Sequence, residues 1–339
     1  MKKKLLTLLK YILFLSIGFF LIWISFKDMK AKDWADINQA ISKAKLWLLI
    51  PVFIILLLSN YLRAIRWQML IKSLNYSASK INLLCAIQIG YLANMAVPRL
   101  GEILRCTTIN KYEKIPTEKL IGTIVTERAF DVLCLLILTT ITLFLEFNEL
   151  KFYAIEIYRR LSRTLGNDWI SLLMILLAII LFFFILRWLF KKYEHISILV
   201  FIKKIVAGLI EGLLSIKKVK NKWMFILYSL LMWSCYILST YIGCLAIEET
   251  SYLNISTALV MLTFGTFGII LTPGGLGAYP FAIQKTLVLY GINENIGKAA
   301  GWLLWLAQFA FNIIFGSIAF IILPFINKLK NEEHIHHSK

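Results

Sequence analysis

The sequence has few acidic residues, few histidines and no cysteine motif. Of its 339 residues, 19 are Asp or Glu and four are His, against 37 Lys or Arg. The five cysteines lie in or beside apolar runs without a CxxC spacing, so we interpret them as packing residues that identify no redox compartment. The predicted outer loops are short, and none has the clustered acidic side chains that would hold a metal or form an acid–base pair at the membrane surface. We therefore predict no catalytic residue, no metal and no cofactor.

Two further function classes are disfavoured. The sequence has no glycine-rich nucleotide-binding loop, which argues against direct drive by ATP. The formal net charge of +18 would suit nucleic acid, but no basic soluble domain exists to carry it. The excess Lys and Arg lie mainly in loops beside apolar runs, where they act as orientation signals. Nucleic acid is thus not an expected partner.

Long apolar runs are what the sequence has in abundance. Hydrophobic residues make up 59% of the chain, and the mean hydropathy is +0.75. The first run follows three lysines and no cleavage pattern follows it, so we predict an uncleaved span. The sequence therefore predicts an all-α polytopic membrane protein. Its six predicted spans are about 8–26, 46–62, 120–145, 169–190, 223–247 and 299–326.

Two other apolar stretches, 81–110 and 256–290, are interrupted by Pro and Gly at membrane depth. The interruptions are Val97-Pro-Arg-Leu-Gly-Glu102 and Thr272-Pro-Gly-Gly-Leu-Gly277. Backbone groups freed by such breaks are tolerated only inside protein or beside a polar cavity. The first stretch has 30 residues, too few for two crossings of about 20 each. We predict that both stretches are re-entrant helical hairpins.

The charge distribution fits this topology. With a cytoplasmic N terminus, 22 of the 37 Lys and Arg lie on the cytoplasmic side and 10 lie outside, as the positive-inside rule expects. Each half then has the order span, span, hairpin, span. Landmarks at 46, 98 and 120 recur 177, 175 and 179 residues later, at 223, 273 and 299. This pattern predicts an inverted repeat, as in secondary transporters, although two Pro-Gly breaks could coincide by chance.

The predicted organisation of the chain follows from that repeat. The first membrane repeat covers 1–146, the second covers 169–326, and interfacial amphipathic segments flank a span within 147–222. Residues 327–339 form a polar tail, and both termini are expected in the cytoplasm.

Ionisable residues are concentrated around the first interruption and the neighbouring spans. A charged side chain in hydrocarbon costs about 2.5–3.5 kcal/mol or more, so these residues need partners or a watery cavity. We expect them to meet in space. The candidate substrate-binding residues here are the charged Arg63, Arg66, Arg99, Glu102, Arg105, Glu127, Arg128 and Asp131, together with the polar, uncharged Asn94.

Two interpretations of these residues are open. In the structural one, Arg99, Arg105 and Arg128 are neutralised by the three carboxylates and hold the hairpin to the next span. In the functional one, which we favour, arginines bind the phosphate of an anionic ligand while carboxylates position them or exchange protons. Arg63 and Arg66, expected at the cytoplasmic end of a span, equally well snorkel to lipid phosphates.

The second interruption offers backbone groups rather than charge. We predict that Thr272 caps the returning helix and that Pro273 is its first residue. The amides of Gly274, Gly275 and Gly277 would then form an anion site at a helix N terminus. The alternative is that these glycines only permit a tight turn and close packing.

Four segments together resemble a known family. They are Arg63-Ala-Ile-Arg-Trp67, Asn94-Met-Ala-Val-Pro-Arg-Leu-Gly-Glu-Ile-Leu-Arg105, Glu127-Arg-Ala-Phe-Asp131 and Thr272-Pro-Gly-Gly-Leu-Gly277. Their order and spacing resemble the lysylphosphatidylglycerol synthase transmembrane region, also called flippase-like or UPF0104 membrane proteins. The resemblance implies a bacterial or archaeal cytoplasmic-membrane protein. In the best-known member, such a domain flips aminoacylated phosphatidylglycerol and is fused to a soluble synthase domain.

Two departures from the family pattern limit what is carried over. Pro280 stands where the family often has a Glu, so an acid-dependent step there is not expected. The chain ends soon after the last span, so we do not expect synthase activity.

The resulting hypothesis is a flippase-like transporter of an anionic lipid, either a phospholipid or polyprenyl-phosphate-linked, in the cell membrane. The alternatives are a membrane lipid-modifying enzyme such as a glycosyltransferase, or a non-catalytic partner of one. Besides the anionic lipid, the expected partners are a lipid-synthesising enzyme or a second copy of the chain.

Overall fold

The computed structural model describes residues 16–97, 99–147 and 219–337, together with Lys151 and Ile155. The predicted span 169–190 and most of the interfacial segments lie outside these residues. Within the described part of the chain there are ten α-helices and no strand, which confirms the all-α class. The helices are α1 Ser16–Phe26, α2 Ala31–Ser42, α3 Leu49–Lys72, α4 Lys80–Ala96, α5 Leu100–Glu113, α6 Thr117–Leu145, α7 Lys222–Cys244, α8 Ile255–Leu271, α9 Ala278–Leu289 and α10 Glu294–His337.

Four of these helices are long and apolar enough to cross a membrane. They are α3 with its preceding turn (Leu46–Lys72), α6, α7 and the Glu294–Lys328 part of α10, with mean hydropathies of 2.1, 2.0, 1.6 and 2.3. They correspond to four of the six predicted spans. The helix α3 continues past the predicted end at residue 62, so Arg63 and Arg66 lie within the helix and not at its end. The helix α10 continues through the predicted tail to His337.

The first interrupted stretch forms two helices that pack closely side by side, α4 and α5, which we call hairpin 1. A side chain added at Gly101 of α5 would collide with the carbonyl of Gly90 on α4. The Asn94 side chain accepts a hydrogen bond from the Gly101 amide at 2.7 Å and so caps α5. At the other end, the Glu113 carboxylate accepts from the amide of Ser79, just before α4, at 2.8 Å. The start of α4 and the end of α5 therefore lie next to each other.

The second interrupted stretch forms α8 and α9, which we call hairpin 2. Its legs approach where Gly268 of α8 faces the backbone of Ala278, leaving no room for a side chain. The returning helix begins at Ala278 with Gly277 as its N-cap, and Pro273–Gly275 form a separate 3-10 turn. The prediction that Thr272 caps the returning helix is therefore wrong. Its hydroxyl instead donates to the Leu276 carbonyl at 3.0 Å.

The tips of the two hairpins adopt the same backbone regions at two pairs of equivalent residues. Val97 and Thr272 are both extended, with φ of −139° and −130°. Two residues later, Arg99 and Gly274 are both left-handed, with φ of 69° and 62°. Arg99 and Gly274 are 175 residues apart, the spacing predicted for the repeat. Only the second tip has glycine at this position. Glycine adopts a left-handed backbone without steric strain, whereas Arg99 does not.

The base of hairpin 1 lies at one end of the long helices. Near the end of α3, Gln68 donates to the carbonyl of Ala78, just before α4, at 2.7 Å. Asn82 of α4 and Asn327 of α10 exchange two amide hydrogen bonds of 2.9 Å. Both amides are buried, with 2% and 9% exposed.

The base of hairpin 2 lies at the opposite end of the same helices. Just before α3, the Lys45 amide donates to the carbonyl of Ala246, just after α7, at 2.8 Å. Ser256 at the start of α8 donates to the carboxylate of Glu146, which directly follows α6, at 2.6 Å. The two hairpins therefore enter the bundle from opposite ends.

We expect the Asn82–Asn327 pair to contribute measurably to stability. Replacing Asn327 with Leu leaves the buried Asn82 amide without this partner, which costs roughly 1–3 kcal/mol. The thermal unfolding midpoint of the purified protein should fall. Phe325→Leu, at a residue of the same helix that is 65% exposed, is the matched control and should leave the midpoint unchanged. An unchanged midpoint for Asn327→Leu would mean that the amide pair is dispensable.

Candidate functional site

Three arginines share two carboxylates in the interior of the bundle, and we call these five residues the buried cluster. The nitrogen–oxygen distances are Arg63–Glu127 2.6 Å, Arg63–Asp131 3.2 Å, Arg66–Asp131 2.6 Å, Arg66–Glu127 3.7 Å and Arg105–Glu127 2.9 Å. Arg66 and Glu127 are fully buried, and Arg63 and Arg105 are each 5% exposed. A single carboxylate, that of Glu127, thus contacts all three guanidinium groups.

Helix periodicity brings the buried cluster together. Arg63 and Arg66 are three residues apart on α3, and Glu127 and Asp131 are four apart on α6, so each pair lies on one helix face. Arg105 comes from α5 and joins hairpin 1 to the same carboxylate. The cluster therefore fixes the positions of α3, α5 and α6 relative to one another.

The helix α7 completes the surroundings of the buried cluster. Arg66 donates to the hydroxyl of Ser229 at 3.2 Å, and Arg63 donates to that of Tyr236 at 3.4 Å. Because the earlier arginine contacts the later residue of α7, the helices α3 and α7 are antiparallel. Neither Ser229 nor Tyr236 was predicted from the sequence as a site residue. They are seven residues apart in an apolar helix and so lie on one helix face, which is a signal that could have identified them.

The guanidinium of Arg105 also lies against an aromatic ring. Its central carbon is 4.3 Å from the centroid of the Trp67 ring, a cation–π contact. The Trp67 indole in turn donates to the hydroxyl of Thr123 on α6 at 2.8 Å. These contacts hold the only arginine that hairpin 1 contributes to the buried cluster.

A second group of charges lies nearer the surface, and we call Arg99, Glu102 and Arg128 the tip group. Arg128 and Glu102 form an ion pair of 2.8 Å, and their side chains are 48% and 30% exposed. Arg99 is exposed, and within the described part of the chain its side chain forms no hydrogen bond or ion pair. The side chains of Arg99 and Arg128 are therefore both accessible at the surface of the bundle.

These positions revise both interpretations drawn from sequence. The structural interpretation holds for Arg105, which pairs with Glu127, and for Arg128, which pairs with Glu102. It is wrong for Arg99, because the third carboxylate, Asp131, pairs with Arg63 and Arg66 instead. The alternative that Arg63 and Arg66 snorkel to lipid is also wrong, since both are buried against carboxylates. Glu127 and Asp131 form ion pairs with Arg63 and Arg66 inside the protein, and these pairs offset the desolvation cost of burying the two arginines.

The second tip presents less free backbone than predicted. The Gly275 amide donates within the turn to the Thr272 carbonyl at 3.0 Å. Gly277 packs against the backbone of Gly18 on α1, where a side chain would collide. Gly274 is exposed and has open space around it, and its carbonyl accepts from the indole of Trp305 at 2.9 Å. The turn also contacts α4, so the second tip lies beside hairpin 1.

Long apolar helices, two broken hairpins and a buried arginine–carboxylate cluster define an integral membrane protein of the polytopic helical class. The chain belongs to the family described as the lysylphosphatidylglycerol synthase TM region, which it matches over residues 8–316. It is also similar to a UPF0104 membrane protein of Methanocaldococcus jannaschii, with 24% identity over 298 residues that cover 81% of this chain and 84% of the relative. No solved structure matches the chain.

Proposed function

We propose that the protein is a flippase-like transporter that moves an anionic lipid across the cell membrane, without chemical modification of the lipid. The observation that supports this most is Arg99, a strained and exposed arginine at the tip of hairpin 1 whose side chain has no partner among the described residues.

We infer that both hairpins are re-entrant. Their legs have 17, 14, 17 and 12 residues. At about 1.5 Å per residue, the longest leg reaches roughly 26 Å and the shortest roughly 18 Å, which is less than the hydrocarbon core of about 30 Å. Each hairpin therefore enters and leaves on one side, and the tips come to rest within the membrane.

We also infer that the two halves are related as an inverted repeat. The equivalent helices α3 and α7 pack against each other in antiparallel orientation. Two equivalent elements that pair in this way are related by a twofold axis perpendicular to them, which lies in the membrane plane when both helices cross it. The entry of the hairpins from opposite ends is a second, independent support. Lys and Arg counts assign the base of hairpin 1 and both termini to the cytoplasm.

The left-handed backbone at Arg99, together with its exposure and its position at the tip of hairpin 1, supports a functional constraint there. A non-glycine residue in the left-handed region costs about 1–2 kcal/mol, and such strain is concentrated at functional sites. The equivalent residue of the other half is Gly274, so glycine fits the same turn. An arginine kept there supplies a guanidinium fork, which binds phosphate oxygens in a bidentate manner.

The proposed cycle follows from this arrangement. The phosphate of the head group binds Arg99 and attracts Arg128 away from Glu102, while the acyl chains stay in the bilayer. Glu102 holds Arg128 in place when no lipid is bound. The buried cluster and Asn94 act as scaffold, since their charges and hydrogen bonds are used within the protein.

Arg99→Gly separates the functional role from a structural one. Glycine relieves the backbone strain, so the unfolding midpoint should stay the same or rise, while the flipping rate should fall by about tenfold or more. The rate is measured in vesicles as protein-dependent loss of leaflet asymmetry of a fluorescent phosphatidylglycerol.

Lys114→Gly is the matched control for this experiment. Lys114 follows the other end of α5, is exposed, and is also left-handed, with φ of 56°. Its replacement removes a positive charge and relieves the same strain, but far from the tip, so flipping should be unaffected. The proposal fails if Arg99→Gly transports at the wild-type rate, or if Lys114→Gly impairs transport to the same extent.

A further inference from the structure

The charges of the buried cluster and of the tip group do not balance. The buried cluster has three arginines and two carboxylates, and the tip group has two arginines and one carboxylate. Each group therefore carries one surplus positive charge, and together they carry two. No other Asp or Glu occurs in any of the predicted spans or interrupted stretches, so the sequence holds no further acid at this depth to compensate them.

The carboxylates are already shared. Glu127 contacts Arg63, Arg66 and Arg105, so it has no capacity to neutralise the tip group. The Nε atoms of those three arginines are buried and have no hydrogen-bond partner in the described residues. An uncompensated charge at membrane depth is energetically unfavourable, and a nearby opposite charge stabilises it more strongly in a low-dielectric interior than in water.

A bound lipid can supply that counter-charge, and its head group must match the surplus. A phosphodiester carries one negative charge and leaves one arginine uncompensated. A phosphate monoester carries about two negative charges above its second pKa of about 6, and it presents three terminal oxygens. Two guanidinium forks, those of Arg99 and Arg128, suit such a group better than a diester.

Building on the proposed function, we propose that the preferred substrate is a lipid whose head group carries two negative charges, as a phosphate monoester does. Arg99 and Arg128 bind the phosphate directly. The surplus charge of the buried cluster acts at longer range and favours a dianion over a monoanion.

The test compares two lipids with identical acyl chains in vesicles that hold the wild-type protein. Phosphatidic acid is the monoester, phosphatidylglycerol is the diester, and rates in protein-free vesicles are subtracted. At pH 7.5 the monoester should move about tenfold faster, which corresponds to one additional ion pair. Its rate should fall as the pH is lowered towards 5.5, where the head group loses its second charge.

Arg99→Gln tests whether the preference for a phosphate monoester depends on the surplus positive charge. Arg99→Gln lowers the surplus from two to one, so the ratio of monoester to diester rates should fall by about tenfold. Lys114→Gln removes a charge outside the tip group and should leave the ratio unchanged. Inorganic phosphate trapped in the vesicles should not exchange, since the proposed ligand is attached to a lipid.

The outcomes distinguish this inference from the proposed function. If phosphatidylglycerol moves as fast as phosphatidic acid, the preference for a dianion is wrong and the flippase function stands. If neither lipid moves while the protein remains folded, both proposals are wrong. Exchange of inorganic phosphate without lipid movement would also overturn both, in favour of a transporter of a soluble anion.

Discussion

Glu127→Gln is expected to lower the free energy of unfolding by about 3–5 kcal/mol, because removal of one partner from a buried ion-pair network leaves uncompensated charges behind. Glu127 is fully buried and contacts Arg63, Arg66 and Arg105. Glutamine preserves the shape of the side chain but removes the charge that offsets three guanidinium groups. The measurement is the unfolding midpoint of purified protein, together with the monomeric fraction recovered by size-exclusion chromatography.

The matched control for this variant lies on the same helix. Glu118 is exposed in the first turn of α6, so Glu118→Gln removes an equal charge from a solvated position. Its effect should stay within about 1 kcal/mol, the size of a favourable helix-dipole interaction. Equal stability of the Glu127→Gln protein and the wild type would show that the three arginines do not depend on this carboxylate.

Gly101→Ala is the second change with a large expected effect. The added methyl group would overlap the Gly90 carbonyl and would meet the Asn94 side chain at 2.6 Å. Relief requires that the legs of hairpin 1 separate and that Asn94 gives up its hydrogen bond to the Gly101 amide. Overpacking and the loss of a helix cap together should cost about 3 kcal/mol. Thermal unfolding and flipping should both be impaired.

Gly122→Ala shows whether the effect is specific to the hairpin. Gly122 lies inside α6, and a side chain added there meets nothing within 4 Å. Alanine at an open helix position should be neutral or should stabilise the protein by about 0.5–1 kcal/mol. If Gly101→Ala and Gly122→Ala unfold at the same temperature, close packing at Gly101 does not hold the hairpin together.

The hairpins could be predicted from sequence because Pro and Gly act locally. Proline and glycine end a helix through their own backbone geometry, whatever the surrounding fold. They do so here at 97–99 and at 272–277. The exact start of the returning helix α9 could not be predicted in this way. Gly274 and Gly277 both adopt positive φ, so the chain makes an extra turn before the helix begins, and several turns fit such a glycine-rich segment.

The charged cluster could be foreseen only as a group. Hydropathy alone predicts that the second span ends at residue 62, because arginines such as those that follow are typical of a helix terminus in a membrane. The helix continues to Lys72 because carboxylates on α6 neutralise Arg63 and Arg66, and that contact depends on which faces two distant helices turn to each other. The separation of Arg99 from the buried cluster could not be predicted from sequence either. It follows from the left-handed backbone turn at Arg99, just before α5.

Two hairpins that enter from opposite faces of the membrane are the basis of the proposed transport. The decisive experiment labels single cysteines with an impermeant thiol reagent from each side of oriented vesicles, in a background without native cysteines. Ser77→Cys and Lys114→Cys flank hairpin 1, and Tyr252→Cys and Asn293→Cys flank hairpin 2; all four residues are exposed. We expect the first pair to react from the cytoplasmic face and the second pair from the outer face. Reaction of either pair from both faces, or of all four residues from one face, would contradict the inverted repeat and the lipid pathway built on it.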